Sequence, residues 1–571
     1  MTSKQLNEDD KKKLKERLAL KFLQKGKLKE AEDLYRELIA EGTKIHSVYG
    51  NLAAICIYKK GNINEIINLL NKSLNIKPNY HLALHNLAKA YKEKKDFTNA
   101  ILYYQKAIGI KTSHPESHYN LGVIYHEKGE LVDAISSYKK AINFQPSYYE
   151  AHYNLGNAYK EKGDLNFART SYEQAIKLNP TFHEAYNNLG SVYKQLGCLE
   201  NSINSYNKSL KINPKESLTF NNLGNALLES GDVNNAIKSY EKALKLKHDF
   251  PAAHYNLGIA YLLDRQYKKG WIEHEYRLKR KRQPIIPHAQ PKIIQWQGEK
   301  IAPNEKLLVI SEQGLGDTIQ FMRYIPHLRQ KNIDVSLCAQ PKLHGLIYES
   351  NIDCSPIKPK RANEIIEGKW IPLMSIPRLL DITPKNPIVI DPYIRSSLEL
   401  TTKWRKILSK ENSLIIGINW QGNPKTEEDN LKGRSLPLEA FSEILKSNNC
   451  KFLSLQKGFG SEQLKTCSFQ EEFVNCQDQV NEIWDFLETA AIIANCDLII
   501  TSDTSIAHLA GGIGKKTWCL LHYVPDWRWG LNGEKTFWYQ SMRLFRQEER
   551  NNWSKVIKKI SIELQLEIGK K

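Results

Sequence analysis

KLLVISEQGLGDTIQFMRYIP, residues 306–326, runs from an apolar segment through a glycine turn into a helical pattern. Leu307-Leu308-Val309-Ile310 is a short apolar run, the mark of a buried strand. Gly314-Leu315-Gly316-Asp317 follows as a turn, and 318–324 carries a helical apolar pattern with Pro326 as its stop. Strand, glycine turn and helix start are how a parallel α/β sheet presents backbone N–H groups and one acid at a strand's C-terminal edge.

Downstream of this stretch, apolar strands alternate with helices. Strands are expected at 306–311, 333–338, 369–373, 387–390, 414–419, 451–456, 497–501 and 517–521. Helices are expected at 318–329, 437–447 and 482–494. Alternation of this kind predicts a parallel, doubly wound sheet. A break over 393–412 divides it into two Rossmann-like lobes, 304–398 and 399–571, facing across a cleft. The proline-rich segment 284–303 reads as a linker docking onto the sheet.

Upstream the chain is periodic. Asn86, Asn120, Asn154, Asn188, Asn222 and Asn256 recur every 34 residues, and Asn51 precedes Asn86 by 35. Each is followed by Leu and then mostly by Gly; a small residue (Ala134, Ala168, Ala236) and a tyrosine (Tyr138, Tyr172, Tyr240) come later in each unit. This pattern resembles the tetratricopeptide repeat. The resemblance implies an all-α superhelix over residues 12–283, of about seven or eight helical hairpins with a concave groove. The last unit, from 251 on, departs from the pattern in its second half. The Asn-Leu-Gly array is similar to the repeats of O-GlcNAc transferase, and on that likeness Asn51, Asn86, Asn120, Asn154, Asn188, Asn222 and Asn256 form a ladder that holds an extended peptide. An amide offers both a donor and an acceptor, which is what a main chain asks for. The alternative is an exposed or turn-capping amide.

Bulk composition narrows the function classes. A net charge of +19 invites nucleic acid, but many lysines alternate with Glu and Asp in repeat turns such as YKEKGD, and no aromatic-basic motif accompanies them, so nucleic acid is disfavoured. The positive field still favours anionic ligands. No apolar run approaches the roughly 20 residues that span a bilayer. The charged start lacks the apolar core of a signal peptide. Nine scattered cysteines without a Cys-x-x-Cys complete the expectation of a reduced, cytoplasmic protein.

The second lobe holds the most informative motif. Asp497-Leu498-Ile499-Ile500-Thr501 reads as a strand, Ser502-Asp503-Thr504-Ser505 as a turn, and the chain from Ile506 through His508 to Gly512 as a helix. Free N–H groups, hydroxyls and a carboxylate at one point suit a diphosphate and a sugar hydroxyl. The plain alternative is an ordinary N-cap. The segment NCDLIITSDTSIAHLAGGIGKKTWCLL (495–521) resembles the donor-site segment of the heptosyltransferases, glycosyltransferase family nine, with Ser505 where that family usually has Gly. GLGDTIQFMRYIP is similar to the family's N-terminal Gly-Asp segment, and GINWQGNP (417–424) with GRSLPLEAF (433–441) looks like its phosphate loop and basic position.

The resemblance implies a two-lobe, GT-B-like transferase unit with Asp317 as catalytic base. Gly314, Gly316, Gln421, Gly422, Arg434, Asp503, Thr504, Ser505 and His508 would then hold a nucleotide sugar. No metal-binding carboxylate pair appears, so the expectation is a metal-independent transferase whose donor is a substrate rather than a cofactor. The acceptor would be a polypeptide or partner protein in the repeat groove. Two alternatives stand beside it: a non-catalytic peptide-binding scaffold with a relic transferase fold, and a transferase acting on surface polysaccharide. The tail 525–547, dense in Trp, Tyr and Arg, either borders the cleft or packs the lobes together.

Overall fold

The computed structural model describes residues 8–280, 287–302, 305–312, 314–388, 392–424, 427, 433–445 and 450–568. These form two compact units, Met1–Lys215 and Glu216–Lys571.

The first unit is helical throughout its described length, from α1 (Glu8–Gln24) to α12 (Leu199–Ile212), in successive hairpins. The repeat residues explain the packing. Tyr172 is fully buried, and a Cβ added to Gly156 would lie 2.7 Å from its ring. The glycine is therefore the space the next helix's tyrosine fills. Burying a ring of this size contributes on the order of 2 kcal/mol. Ala134 and Ala168, each fully buried, allow the same close approach of neighbouring helices. Gly163, in the left-handed region at φ 89°, ends one helix and turns the chain into the next.

The second unit begins with two more hairpins, α13 (Ser217–Ser230) with α14 (Val233–Leu246), and α15 (Pro251–Leu263) with α16 (Tyr267–His274). The last hairpin is cut short: α16 has eight residues and runs into a 3-10 helix, Glu275–Lys279. Its residues serve the α/β part. One continuous core contains Tyr240, Leu257 and Trp271 together with Leu307, Ile319 and Trp527. The Trp271 indole N–H donates to the Ile382 carbonyl at 2.8 Å.

Two parallel sheets follow. The first has strand order β1-β4-β2-β3: β1 Ile294–Gln295, β2 Lys306–Ile310, β3 Asp334–Cys338 and β4 Lys369–Pro372. The second has order β6-β5-β7-β8-β9: β5 Leu414–Asn419, β6 Cys450–Ser454, β7 Leu498–Ser502, β8 Thr517–Leu521 and β9 Met542–Arg546. Leu308 stands opposite both Ser336 and Trp370, and Thr501 opposite Asn419 and Cys519. Strands buried on both faces explain the unbroken apolar runs.

Several elements differ from expectation. Pro326 does not stop a helix. The chain forms α17 (Leu315–Phe321), a 3-10 turn at Met322–Tyr324, and then a helix Ile325–Gln330 that has the proline in its first turn, where its missing N–H costs nothing. Gly316 and Asp317 thus belong to the first turn of α17, not to a loop before it. The expected helix 482–494 is Phe486–Asn495, capped by Asp485. Two strands were not anticipated: β1, in the segment read as a linker, and β9, in the aromatic tail. The two residues of β1 leave no pattern to read, and Arg543 and Arg546 within β9 break its apolar run. The strand expected over 387–390 runs into residues outside the described set, as does the end of the helix expected over 437–447.

Candidate active site

The C-terminal ends of β2, β5, β6 and β7 converge on one cleft of about 770 Å³, lined by residues of both sheets and by Asp526 and Arg528. Parallel strands place their loops and helix N-termini at this edge. Every residue assigned to the catalytic and nucleotide-sugar roles from sequence lines it: Gly314, Gly316, Asp317, Gln421, Gly422, Arg434, Asp503, Thr504, Ser505 and His508.

On the first-sheet side, Asp317 is held at both oxygens. Oδ2 accepts from the Gly314 backbone N–H at 2.8 Å, which caps α17. Oδ1 accepts from Arg528 Nη2. Burial raises the carboxyl above its ordinary value, against the pull of Arg528. His288, from the segment before β1, reaches the same cleft with its backbone N–H on the Ser311 carbonyl and its Nδ1 paired with Ser311 Oγ at 2.9 Å.

The second-sheet side is a hydrogen-bond network centred on Gln456. Gln456 Oε1 accepts from Asn419 Nδ2 (2.8 Å) and from the backbone N–H groups of Trp420 (3.1 Å) and Gln421 (3.0 Å). Its Nε2 donates to the carbonyls of Gln421 and Phe459. Asn419 Oδ1 accepts from Thr504 Oγ1 at 2.8 Å, which ties the end of β5 to the turn after β7. Gly422 leaves room for Arg434, because a Cβ at that position would run into its guanidinium. Arg434, largely buried, is paired with Glu427 at 3.5 Å.

Asp503 is 6% exposed at the start of the turn before the helix Ser505–Ile513. Burial and then the neighbouring Asp526 push its carboxyl up to about 6, against Arg434, Trp529 and Arg528. His508 is buried in the first turn of that helix, with Nδ1 on the Tyr539 hydroxyl at 2.9 Å and its ring stacked on Trp529. Burial, with Arg528 and Arg323 nearby, holds it far below the usual histidine range, so it is neutral. The two helix starts meet closely: a Cβ on Gly316 would lie 2.9 Å from the His508 ring and 3.4 Å from the Ser505 Cα.

Chemically the cleft joins a buried carboxylate on one wall to a helix N-terminus, hydroxyls and an arginine on the other. An anion fits the second wall. Sequence reading missed Arg528, Asp526, Gln456, Asn419, His288 and the exposed rim aromatics Phe459 and Trp484. A signal existed for Gln456, which follows a buried strand and precedes Gly458 and Gly460, the same strand-then-glycine pattern read at 306–317. Each of the two alternatives for the tail describes part of it: Trp527 and Trp529 pack in the core, while Asp526 and Arg528 line the cleft. Among the described residues no cluster of three or more His, Cys, Asp or Glu is arranged to hold a metal ion, and no helix is long and apolar enough to cross a membrane.

Comparison with known proteins concerns the repeats. The family model for the TPR repeat matches residues 90–129, 124–163, 156–197 and 224–264, and models for the tetratricopeptide repeat match 183–216 and 205–238. Residues 90–264 are tetratricopeptide repeats. Protein FlbA of Caulobacter vibrioides is 22% identical over 332 residues, 52% of this chain and 52% of that protein, so the chain spans about half the length of the curated relative it matches. Among solved structures, YrrB, described as a TPR protein with an unusual peptide-binding site, is 20% identical with a TM-score of 0.30, over 32% of this chain and 95% of its own. MamA is 30% identical with a TM-score of 0.28, over 28% of this chain and 95% of its own.

Within the tetratricopeptide array, the seven asparagines sit half-buried in the middle of the first helix of successive hairpins. Five have already donated Nδ2. Asn51, Asn154 and Asn188 donate to the hydroxyls of Tyr35, Tyr119 and Tyr153, at 3.1, 2.8 and 3.0 Å. Asn120 donates to the Glu116 carbonyl, and Asn256 to the Asn221 and Asn225 side chains. The amides are thus aimed by their neighbours, and Asn188 and Asn256 have both Nδ2 hydrogens engaged.

Proposed function

We propose that the protein is a glycosyltransferase that moves a sugar from a nucleotide sugar to an acceptor, with the repeats holding a polypeptide. The observation that carries this reading is the single cleft in which Asp317 faces the helix Ser505–Ile513, Arg434 and Asp503 across the C-terminal edges of two parallel sheets. Transfer needs a base for the acceptor hydroxyl, a held donor and stabilisation of the leaving diphosphate. Asp317 takes the proton, and the acceptor oxygen bonds to the sugar's anomeric carbon. The bond from that carbon to the diphosphate oxygen breaks, leaving its electron pair on the nucleoside diphosphate. Arg434 and the helix N-terminus offset the charge left there. Tetratricopeptide repeats bind peptides and proteins, which supports a polypeptide acceptor or partner.

A second reading, a peptide-binding scaffold with an inactive cleft, draws support from the occupation of both Asp317 oxygens. One experiment separates the two: thermal unfolding with a panel of nucleoside diphosphates and nucleotide sugars, followed by assay of the stabilising donor. Wild type is expected to be stabilised by one nucleotide and to release its diphosphate; Asp317→Ala to bind but not transfer; Arg434→Ala to bind weakly. No stabilisation by any of them sinks the transferase reading.

A further inference from the structure

Arg528 makes three side-chain hydrogen bonds in the cleft, and neither motif assigned it a part. It stands on the second-sheet side, in the 3-10 turn Trp527–Trp529, and reaches across the floor of the cleft into α17. Nε donates to Gln320 Oε1 at 2.5 Å, Nη1 to Asp526 Oδ1 at 2.7 Å, and Nη2 to Asp317 Oδ1. Its guanidinium lies 4.5 Å from the Trp527 ring centre and 5.5 Å from that of Phe321. Two aromatic faces and three acceptors leave it one place to be, and its side chain is only 7% exposed.

The consequence falls on Asp317. One oxygen is fixed by the Gly314 N–H and the other by Arg528, so neither the aim nor the charge of the carboxylate is left to solvent. We infer that Arg528 is the positioning residue for Asp317, clamping the carboxylate in its ionised form and directing its remaining lone pairs into the cleft. The role rests on the transferase reading above. The charged neighbours are few: Asp317 faces Arg528, Asp526 and His288, while Arg528 faces Asp317, Asp526 and Asp503, with neutral His274 and His508 beside it. Burial raises the Asp317 carboxyl and Arg528 is the strongest influence opposing that rise. Removing a cation this close raises a carboxyl by about one to three pH units.

The test uses the full chain as wild type, Arg528→Lys, Arg528→Gln, Asp317→Asn and Arg528→Gln/Asp317→Asn. Nucleoside diphosphate release from the stabilising nucleotide sugar is followed against pH. The acid limb of the rate profile is expected to move up by about one to three pH units in Arg528→Gln and by less in Arg528→Lys, which keeps the charge. An acid limb that stays in place overturns the inference, since a purely structural loss lowers the rate without moving the limb. Thermal unfolding of the same proteins without ligand decides the clamp independently of turnover. A buried, unpaired carboxyl with a raised pKa costs stability as pH rises, so the loss caused by Arg528→Gln should grow from about pH 5 to about pH 8 and disappear when Asp317→Asn is added. A loss that is the same at every pH overturns the clamp. If wild type consumes no donor yet Arg528→Gln shows the pH-dependent loss, the transferase reading fails and the clamp stands.

Discussion

Arg277 and Glu312 form a fully buried, two-pronged ion pair: Nε to Oε2 at 2.7 Å and Nη2 to Oε1 at 2.9 Å. Arg277 lies in the 3-10 helix that ends the last repeat, and Glu312 is two residues beyond β2 and lines the cleft. Ser375, Glu275 and the Met374 N–H satisfy the remaining groups. The truncated repeat is thus part of the wall of the site, which accounts for the departure of its second half from the repeat pattern.

Removing one partner strands the other charge in the core. Glu312→Gln and Arg277→Met should each destabilise the Glu216–Lys571 unit by about 3–5 kcal/mol, read as an earlier transition in denaturant unfolding. A change below about 1 kcal/mol would mean that water reaches the pair.

Gly422→Ala should displace Arg434 while leaving the sheet intact, because the added Cβ meets the guanidinium and not a core side chain. The expected result is near-normal unfolding of the ligand-free protein with a large loss of nucleotide-induced stabilisation. Unchanged nucleotide stabilisation would remove Arg434 from donor binding.

Asp503 carries a folded-state pKa of about 6, raised above its unfolded value of about 3.8, so it binds more protons folded than unfolded across that interval. Its contribution to stability is complete below the unfolded value and is lost as pH rises through about 6. Asp503→Asn should therefore be more stable than wild type at pH 8, by about 3 kcal/mol, with the gain vanishing toward pH 4. The same variant should bind nucleotide poorly. Equal stability at both pH values would show that the carboxyl is not desolvated.

In the repeats, Gly156→Ala forces a methyl against the Tyr172 ring and should cost about 1–3 kcal/mol in unfolding of the Met1–Lys215 unit. Gly129, in open space at φ 78° and in a turn, tests the other constraint: alanine there is strained by backbone alone and should cost about 1 kcal/mol.

Changing Asn120, Asn154 and Asn188 together to Ala should weaken peptide capture, measured by titration with an extended peptide, and spare donor hydrolysis. Unchanged affinity would leave these amides to their internal bonds, Asn120 to the Glu116 carbonyl, Asn154 to Tyr119, and Asn188 to Tyr153 and Asn157.

The repeats were legible because their cause is local. A period of 34 with Gly, Ala and Tyr at set places specifies helix contacts one unit apart, and each contact recurs often enough to be read. The sheets were legible from apolar runs, and the turns after β2 and β7 from Gly-Leu-Gly-Asp and Ser-Asp-Thr-Ser, since strand, turn and helix start lie within a dozen residues. The elements and most of the loops that carry the cleft could thus be read along the chain. Which distant side chains meet there was set by the folded arrangement alone. Arg528 lies 211 residues from Asp317, Arg277 lies 35 from Glu312, and the Gln456 amide closes a loop 35 residues away. Those partnerships arise from buried charges and amides that must be paired once water is excluded, and that requirement follows chain geometry that no spacing in the sequence records.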